Sequence, residues 1–209
     1  MIKTDKKREY LQGTIAMGLG LLLIAAALLF IWHHLRDEKR AAGVAEEIVV
    51  QLSAAVEREP METPDVLEEP AYIHNPGMEM PIITIENEDC LGSLSIPALE
   101  LVLPVLDDWN EARLKKAPCR YAGSVYQDNM VIAAHNYASH FGNLSKLHYG
   151  DHVMFCDADG NGFLYEVGEI VILEPSDKEA MVESDWDLTL FTCTVGGKNR
   201  VTVRCVRVE

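Results

Sequence analysis

The chain has 209 residues with a formal net charge of −15, 48% hydrophobic side chains and 24% charged ones. That length suits one well-packed domain rather than two, and the apolar content is that of a chain with a core. The acidity argues against a nucleic-acid partner and fits an anionic lipid surface poorly, because both select basic faces.

Residues 1–12 carry Lys3, Lys6, Lys7 and Arg8, and read as a cytoplasmic N-terminus. Residues 13–32, from Gly13 to Trp32, hold no charge. Twenty residues at ~1.5 Å per residue match the ~30 Å hydrocarbon core of a bilayer, so one transmembrane helix is expected. Tyr10 and Trp32 stand at its two ends, where amphipathic rings favour the headgroup layer. The small residues Ala25, Ala26 and Ala27 would suit a cleavable signal, but the apolar run continues past them to Trp32. Arg36, Lys39 and Arg40 follow the span, so charge bias alone favours a cytoplasmic N-terminus only slightly.

Residues 33–58 read as a helical stalk. Ala41, Val44, Ala45, Ile48, Leu52 and Val56 recur at three- and four-residue intervals, and Val50 interrupts the stripe. The pattern fits a free stalk, a self-association surface or a helix packed on the domain. Residues 59–81 turn acidic and proline-rich, with Pro60, Pro64, Pro70, Pro76 and Pro81, and read as a semi-extended spacer.

The folded domain is expected over residues 82–209, and its pattern is mainly β. Short β-branched or aromatic runs cover 91–96, 99–106, 129–134, 152–156, 163–167, 169–173, 188–193 and 200–208, bounded by Gly, Pro, Asp or Asn. Closely spaced short strands predict a closed barrel or a sandwich. Residues 111–116 and 144–147 are expected short helices. The run Asp157-Ala158-Asp159-Gly160-Asn161-Gly162 resembles the start of a calcium loop. Its twelfth position is Gly168 rather than an acid, and its flanks are strand-like, so a hairpin turn explains it better.

Five cysteines, Cys90, Cys119, Cys156, Cys193 and Cys205, are odd in number, widely spaced and contain no C-x-x-C pair. Neither a zinc site nor a disulfide scaffold fits this pattern. Four of them read as small buried apolar residues. Cys193 differs. It ends the run Thr189-Leu190-Phe191-Thr192-Cys193, a turn containing Gly196-Gly197 follows, and Arg200 opens the next run. If the two strands are neighbours, the guanidinium favours a thiolate and can hydrogen-bond an oxyanion forming beside the sulfur. A second strand, Val131-Ile132-Ala133-Ala134, ends in His135, whose imidazole can exchange protons near neutral pH.

These segments together resemble the sortase family. The Thr-Leu-Phe-Thr-Cys strand with its turn and arginine is similar to the family's Thr-Leu-x-Thr-Cys signature, and Ala-Ala-His-Asn is similar to its histidine strand. The family often has Gly where Ala134 stands. Gly92 to Pro97 resembles the first-strand motif, and Leu144 to Asp151 the leucine-rich turn ending in Gly-Asp. The resemblance covers roughly residues 90–208. It implies an eight-stranded β-barrel with Cys193 as nucleophile, His135 as acid/base and Arg200 at the oxyanion. Thr192 and Asn136, beside these residues, become candidate substrate contacts.

By resemblance, the substrates are secreted proteins with a C-terminal LPxTG-like sorting signal, and the acceptor is an amine, typically of a cell-wall precursor. The same resemblance implies a cell-membrane protein with its catalytic domain outside, and neither cofactor nor metal, although part of the family depends on calcium. The short interval from Cys193 to Arg200 looks most like class D. A second C-terminal span, usual in the pilin-polymerising class, is not expected after Glu209. A papain-like enzyme would instead place its cysteine at a helix start, and a binding domain would hold no reactive cysteine.

Overall fold

The structure, a computed structural model, describes residues 2–56, 69–182, 185–194 and 196–208. Helix α1 (Ile2–Val56) divides between two compact units, residues 1–39 and 40–209. In the first unit, side chains such as Leu22, Leu29 and Phe30 are exposed, and the helix is a candidate membrane span by length and composition.

In the second unit, Ala41, Ala45, Ile48 and Leu52 are buried. Ile48 and Leu52 cluster with Ile85, Cys90, Leu106, Ala117 and Cys119 of the domain. The apolar stripe is therefore a packing face, and Val50, which interrupts it, is exposed. Deleting residues 1–39 should leave this domain's melting temperature unchanged, whereas deleting residues 1–58 removes two large buried side chains, Ile48 and Leu52. At about 1.5–3 kcal/mol for each of Ile48 and Leu52, and 2–4 °C per kcal/mol, the longer deletion should lower Tm by about 10 °C. Equal melting curves for the two truncations would show that the helix contributes nothing.

The chain continues through α2 (Ala71–His74), β1 (Ile83–Ile85), β2 (Glu88–Ile96), β3 (Leu101–Leu106), α3 (Glu111–Leu114), β4 (Cys119–Ala122) and β5 (Met130–Ala133). Then come β6 (His152–Asp157), β7 (Gly162–Leu173), α4 (Lys178–Val182), β8 (Leu188–Cys193) and β9 (Arg200–Arg207). The strand order is β2-β3-β4-β5-β8-β9-β7-β6, and β6 pairs back onto β2, which closes an eight-stranded barrel of mixed direction. Closure removes the open edges that invite association. Strand β1 is an addition on the first half of β2. A bulge between Cys90 and Gly92 lets β2 change partners. Gly92 has φ +153°, and a Cβ there would stand 2.0 Å from the Cys156 carbonyl oxygen, so only glycine permits the close approach.

Three expected features take a different form. The runs 163–167 and 169–173 are one strand, β7, bulged at Gly168 under the ring of Trp186. Strands β1 and β4 lie where no strand was expected, at three and four residues too short to show a period. The second half of the expected spacer packs on the barrel: Tyr72 of α2 stacks on Tyr126, ring centroids 4.5 Å apart, and Met80 is buried. Acidic, proline-rich composition conceals these few apolar anchors. Residues 59–68 of that spacer, and 57–58 of the expected stalk, lie outside the described residues.

The calcium-like run is the β6–β7 hairpin turn. The Asp157 carboxylate accepts bonds from the backbone of Asp159 and Asn161, the Asn161 amide and the Tyr126 hydroxyl. Both oxygens hold the turn shut.

Candidate active site

Alternation along the strands decides which residues meet. Met130 and Ile132 of β5, with Leu188 and Leu190 of β8, point into the barrel core. The alternate residues Val131, Ala133 and Phe191 form a second cluster on the other face, with Met181 of α4. Continuing that alternation puts His135 and Cys193 on this outer face, at the ends of two parallel neighbours.

Strands β5 and β8 pair as far as Ala133 opposite Phe191, and His135 and Cys193 each follow two residues later. The pairing is extended by Ala134 N–H donating to the Phe191 carbonyl (3.2 Å) and by Thr192 Oγ1 donating to the Ala134 carbonyl (2.8 Å). Thr192 is buried, its hydroxyl ties the two strand ends together, and the residue also lines the cleft described below. Asn136 is half-buried in the loop after β5.

Cys193 and Arg200 are direct cross-strand partners at the start of the β8–β9 ladder. The turn between them is closed by Thr194 N–H to the Asn199 carbonyl (2.8 Å) and Asn199 N–H to Thr194 Oγ1 (3.0 Å). Gly196 and Gly197 both take positive φ in this turn, which other residues tolerate poorly. Arg200 Nη1 donates to the carbonyls of Gly197 and Asn199, each at 3.2 Å. Arg204, on the same face, is ion-paired with Glu169 (2.6 Å). Arg207 is on the opposite alternation, paired with Asp128 (2.7 Å).

Cys193 is exposed, whereas Cys90, Cys119 and Cys205 are buried and Cys156 is half-buried. Burial pushes the Cys119 and Cys205 thiols up to about 12 and the Cys90 thiol up to about 11, which keeps all three un-ionised. Cys193 lines a cleft.

That cleft has a volume of about 240 Å³. Leu114, Ala133 and Ala134 line it beside Trp109, Tyr121 and Phe191, which make one aromatic wall, packed in sequence with centroids 5.3 and 5.2 Å apart. Pro175 and Met181 complete the lining with Thr192, Cys193 and Arg200. Trp109 and Tyr121 were hidden in the sequence because they precede and sit on the two least regular elements. The exposed Trp109 beside the Asn110 helix cap was the one available signal.

The His135 ring is not part of that lining. It stacks on Tyr137, centroids 4.8 Å apart, and Tyr137 in turn contacts the buried His140. Burial, then the Lys115 ammonium, push His135 below the ordinary imidazole range, and Glu111 opposes them. His140 is pushed down to about 4, chiefly by burial, so it stays neutral behind His135. Neither ring nitrogen of His140 makes a well-formed hydrogen bond, although the Lys116 backbone lies near enough to favour its charged form slightly.

Residues 94–208 match the family model for the sortase domain. The chain belongs to the sortase family. Among solved structures it is similar to Streptococcus pneumoniae sortase C, at 22% identity and TM-score 0.59, covering 78% of this chain and 97% of that one. It is also similar to the Clostridium perfringens sortase D5 transpeptidase, at 20% identity and TM-score 0.57, covering 80% and 99%. Streptococcus agalactiae sortase C1 gives 22% identity and TM-score 0.54, covering 78% and 90%. No curated protein sequence matches the chain. At these identities the structures speak for the fold. Family membership supports a transpeptidase role in anchoring surface proteins.

Proposed function

We propose that this sortase is anchored by α1 with its N-terminus in the cytoplasm and its barrel outside. There it cleaves a C-terminal LPxTG-like sorting signal and transfers the protein to an amine of the cell wall. The observation that carries this reading is the pairing of exposed Cys193 with Arg200 in the lining of an apolar cleft, with His135 just past the end of the strand beside β8.

In this reaction the Cys193 thiolate attacks the scissile carbonyl carbon, and Arg200 donates hydrogen bonds to the oxygen as it gains charge. His135, entering as imidazolium, gives its proton to the departing amine nitrogen as the C–N bond breaks. A thioacyl enzyme remains. The neutral imidazole then takes a proton from the incoming amine, whose nitrogen displaces the sulfur. Thiolate, imidazole and guanidinium complete this chemistry without a cofactor. The short Cys193–Arg200 interval and the five-residue α4 favour a class D-like enzyme over one with a long helix before β8. Incubation with a sorting-signal peptide library should yield an acyl adduct whose mass maps to Cys193, and an adduct on Cys156 instead would remove the assignment.

Because His135 must enter protonated, its depressed proton affinity sets the alkaline limit of activity. Lys115 is a cause of that depression. Lys115→Met removes a positive charge, which favours the imidazolium, so the alkaline limb should move to higher pH. The rate profile of the variant against pH checks this, and an unmoved limb would take Lys115 out of the account.

A further inference from the structure

Helix α4 has five residues, too few to hold itself together in water, yet it carries Met181 of the cleft wall. None of the last four carbonyls of a helix has a partner within it. One of them, the Ala180 carbonyl, accepts a hydrogen bond from Arg204 Nη2 at 2.8 Å. The other arm of the same guanidinium is fixed by Glu169, Nη1 to Oε2 at 2.6 Å. Glu169 is also the cross-strand partner of Arg204 between β7 and β9, so the fork is oriented from the barrel wall. The Arg204 side chain is 15% exposed. The next residue along α4, Met181, is 3% exposed and packs on Val131, Ala133 and Phe191, the last two of which line the cleft.

We propose that Arg204 is a positioning residue that clamps α4 through the Ala180 carbonyl and so holds Met181 as the wall against which the acyl donor's apolar side chains bind. This deepens the peptide-cleft reading given above. Arg204 stands two strand repeats from Arg200 and is not among the residues lining the cleft, so it acts on binding and leaves bond breaking to Cys193, His135 and Arg200.

The test uses the full chain, with Arg204→Ala and Arg204→Lys. Lysine keeps the charge beside Glu169 but lacks the fork that spans two acceptors. In both variants the amides of residues 178–182 should exchange about tenfold faster, while those of β7 and β9 keep wild-type protection. Alkylation mapped to Cys193 should lose its preference for N-benzyl iodoacetamide over iodoacetamide. With a cleaved peptide, KM should rise about tenfold and kcat hold within about twofold. Unchanged exchange over 178–182 overturns the proposal, and so does faster exchange in β7 and β9 as well, which would make Arg204 a strand brace only. The exchange and alkylation readouts need no turnover. A wild-type chain that cleaves no peptide would therefore overturn the transpeptidase reading, while those two readouts still decide the clamp.

Discussion

Cys193→Ala abolishes acyl transfer while leaving the melting temperature within about 1–2 °C of wild type. The first half of this expectation follows from chemistry. The proposed reaction passes through a covalent thioacyl bond, and no other thiol can replace it. Cys90, Cys119 and Cys205 are buried with raised pKa values, and Cys156 lies on β6, which pairs with β2 and β7 rather than with the cleft strands. The second half follows from packing. Cys193 is exposed and belongs to none of the buried clusters, so losing its sulfur opens no cavity, and surface changes usually fall within ±0.5 kcal/mol. Circular dichroism melts and an assay of the amide exchange on one peptide test the two halves separately. Residual transfer above about 1% would mean that the sulfur is not the acyl carrier.

Where a residue's role depends on strand alternation, the sequence carried it. Strand β8 occupies Leu188–Cys193 as its pattern indicates, and β9 begins at Arg200, so the pairing of these two residues follows from one glycine turn. The same alternation separates Arg200 and Arg204 from Arg207. Legibility failed where side chains from distant segments share a surface. The cleft lining of Trp109, Tyr121 and Met181 draws on a turn, a four-residue strand and a five-residue helix, none long enough to display a period. Thr192 shows a different limit. Its neighbour Cys193 suggests substrate contact, and the residue does line the cleft, but no pattern in the sequence foretells that its hydroxyl closes on the Ala134 carbonyl of the neighbouring strand. The stripe on α1 told which residues would be buried without telling against what. That partner, chiefly β2 to β4, comes from thirty or more residues further along the chain.

Arg200→Ala should lower turnover by about two to three orders of magnitude, the scale of losing one oxyanion donor. Its Cα is the cross-strand partner of Cys193, and its side chain emerges on the cleft face. Arg204 is four residues on, about 13 Å along the strand at ~3.3 Å per residue, and its fork is committed to Glu169 and Ala180. Only Arg200 can therefore reach a carbonyl oxygen held beside the sulfur. In the free enzyme a single nitrogen, Nη1, contacts two turn carbonyls at 3.2 Å, longer than the usual charge-assisted bond. A guanidinium has five N–H donors, so those contacts orient the group and leave others for the oxyanion. Arg200→Lys should recover little, since an ammonium cannot hold the turn and the oxygen with one planar fork. The loss should fall on kcat with KM nearly constant, the reverse of the pattern expected at Arg204, because the charge it meets exists only in the transition state. Steady-state kinetics of the two alanine variants on one peptide make the comparison, and a larger fall in kcat at Arg204 would exchange their roles.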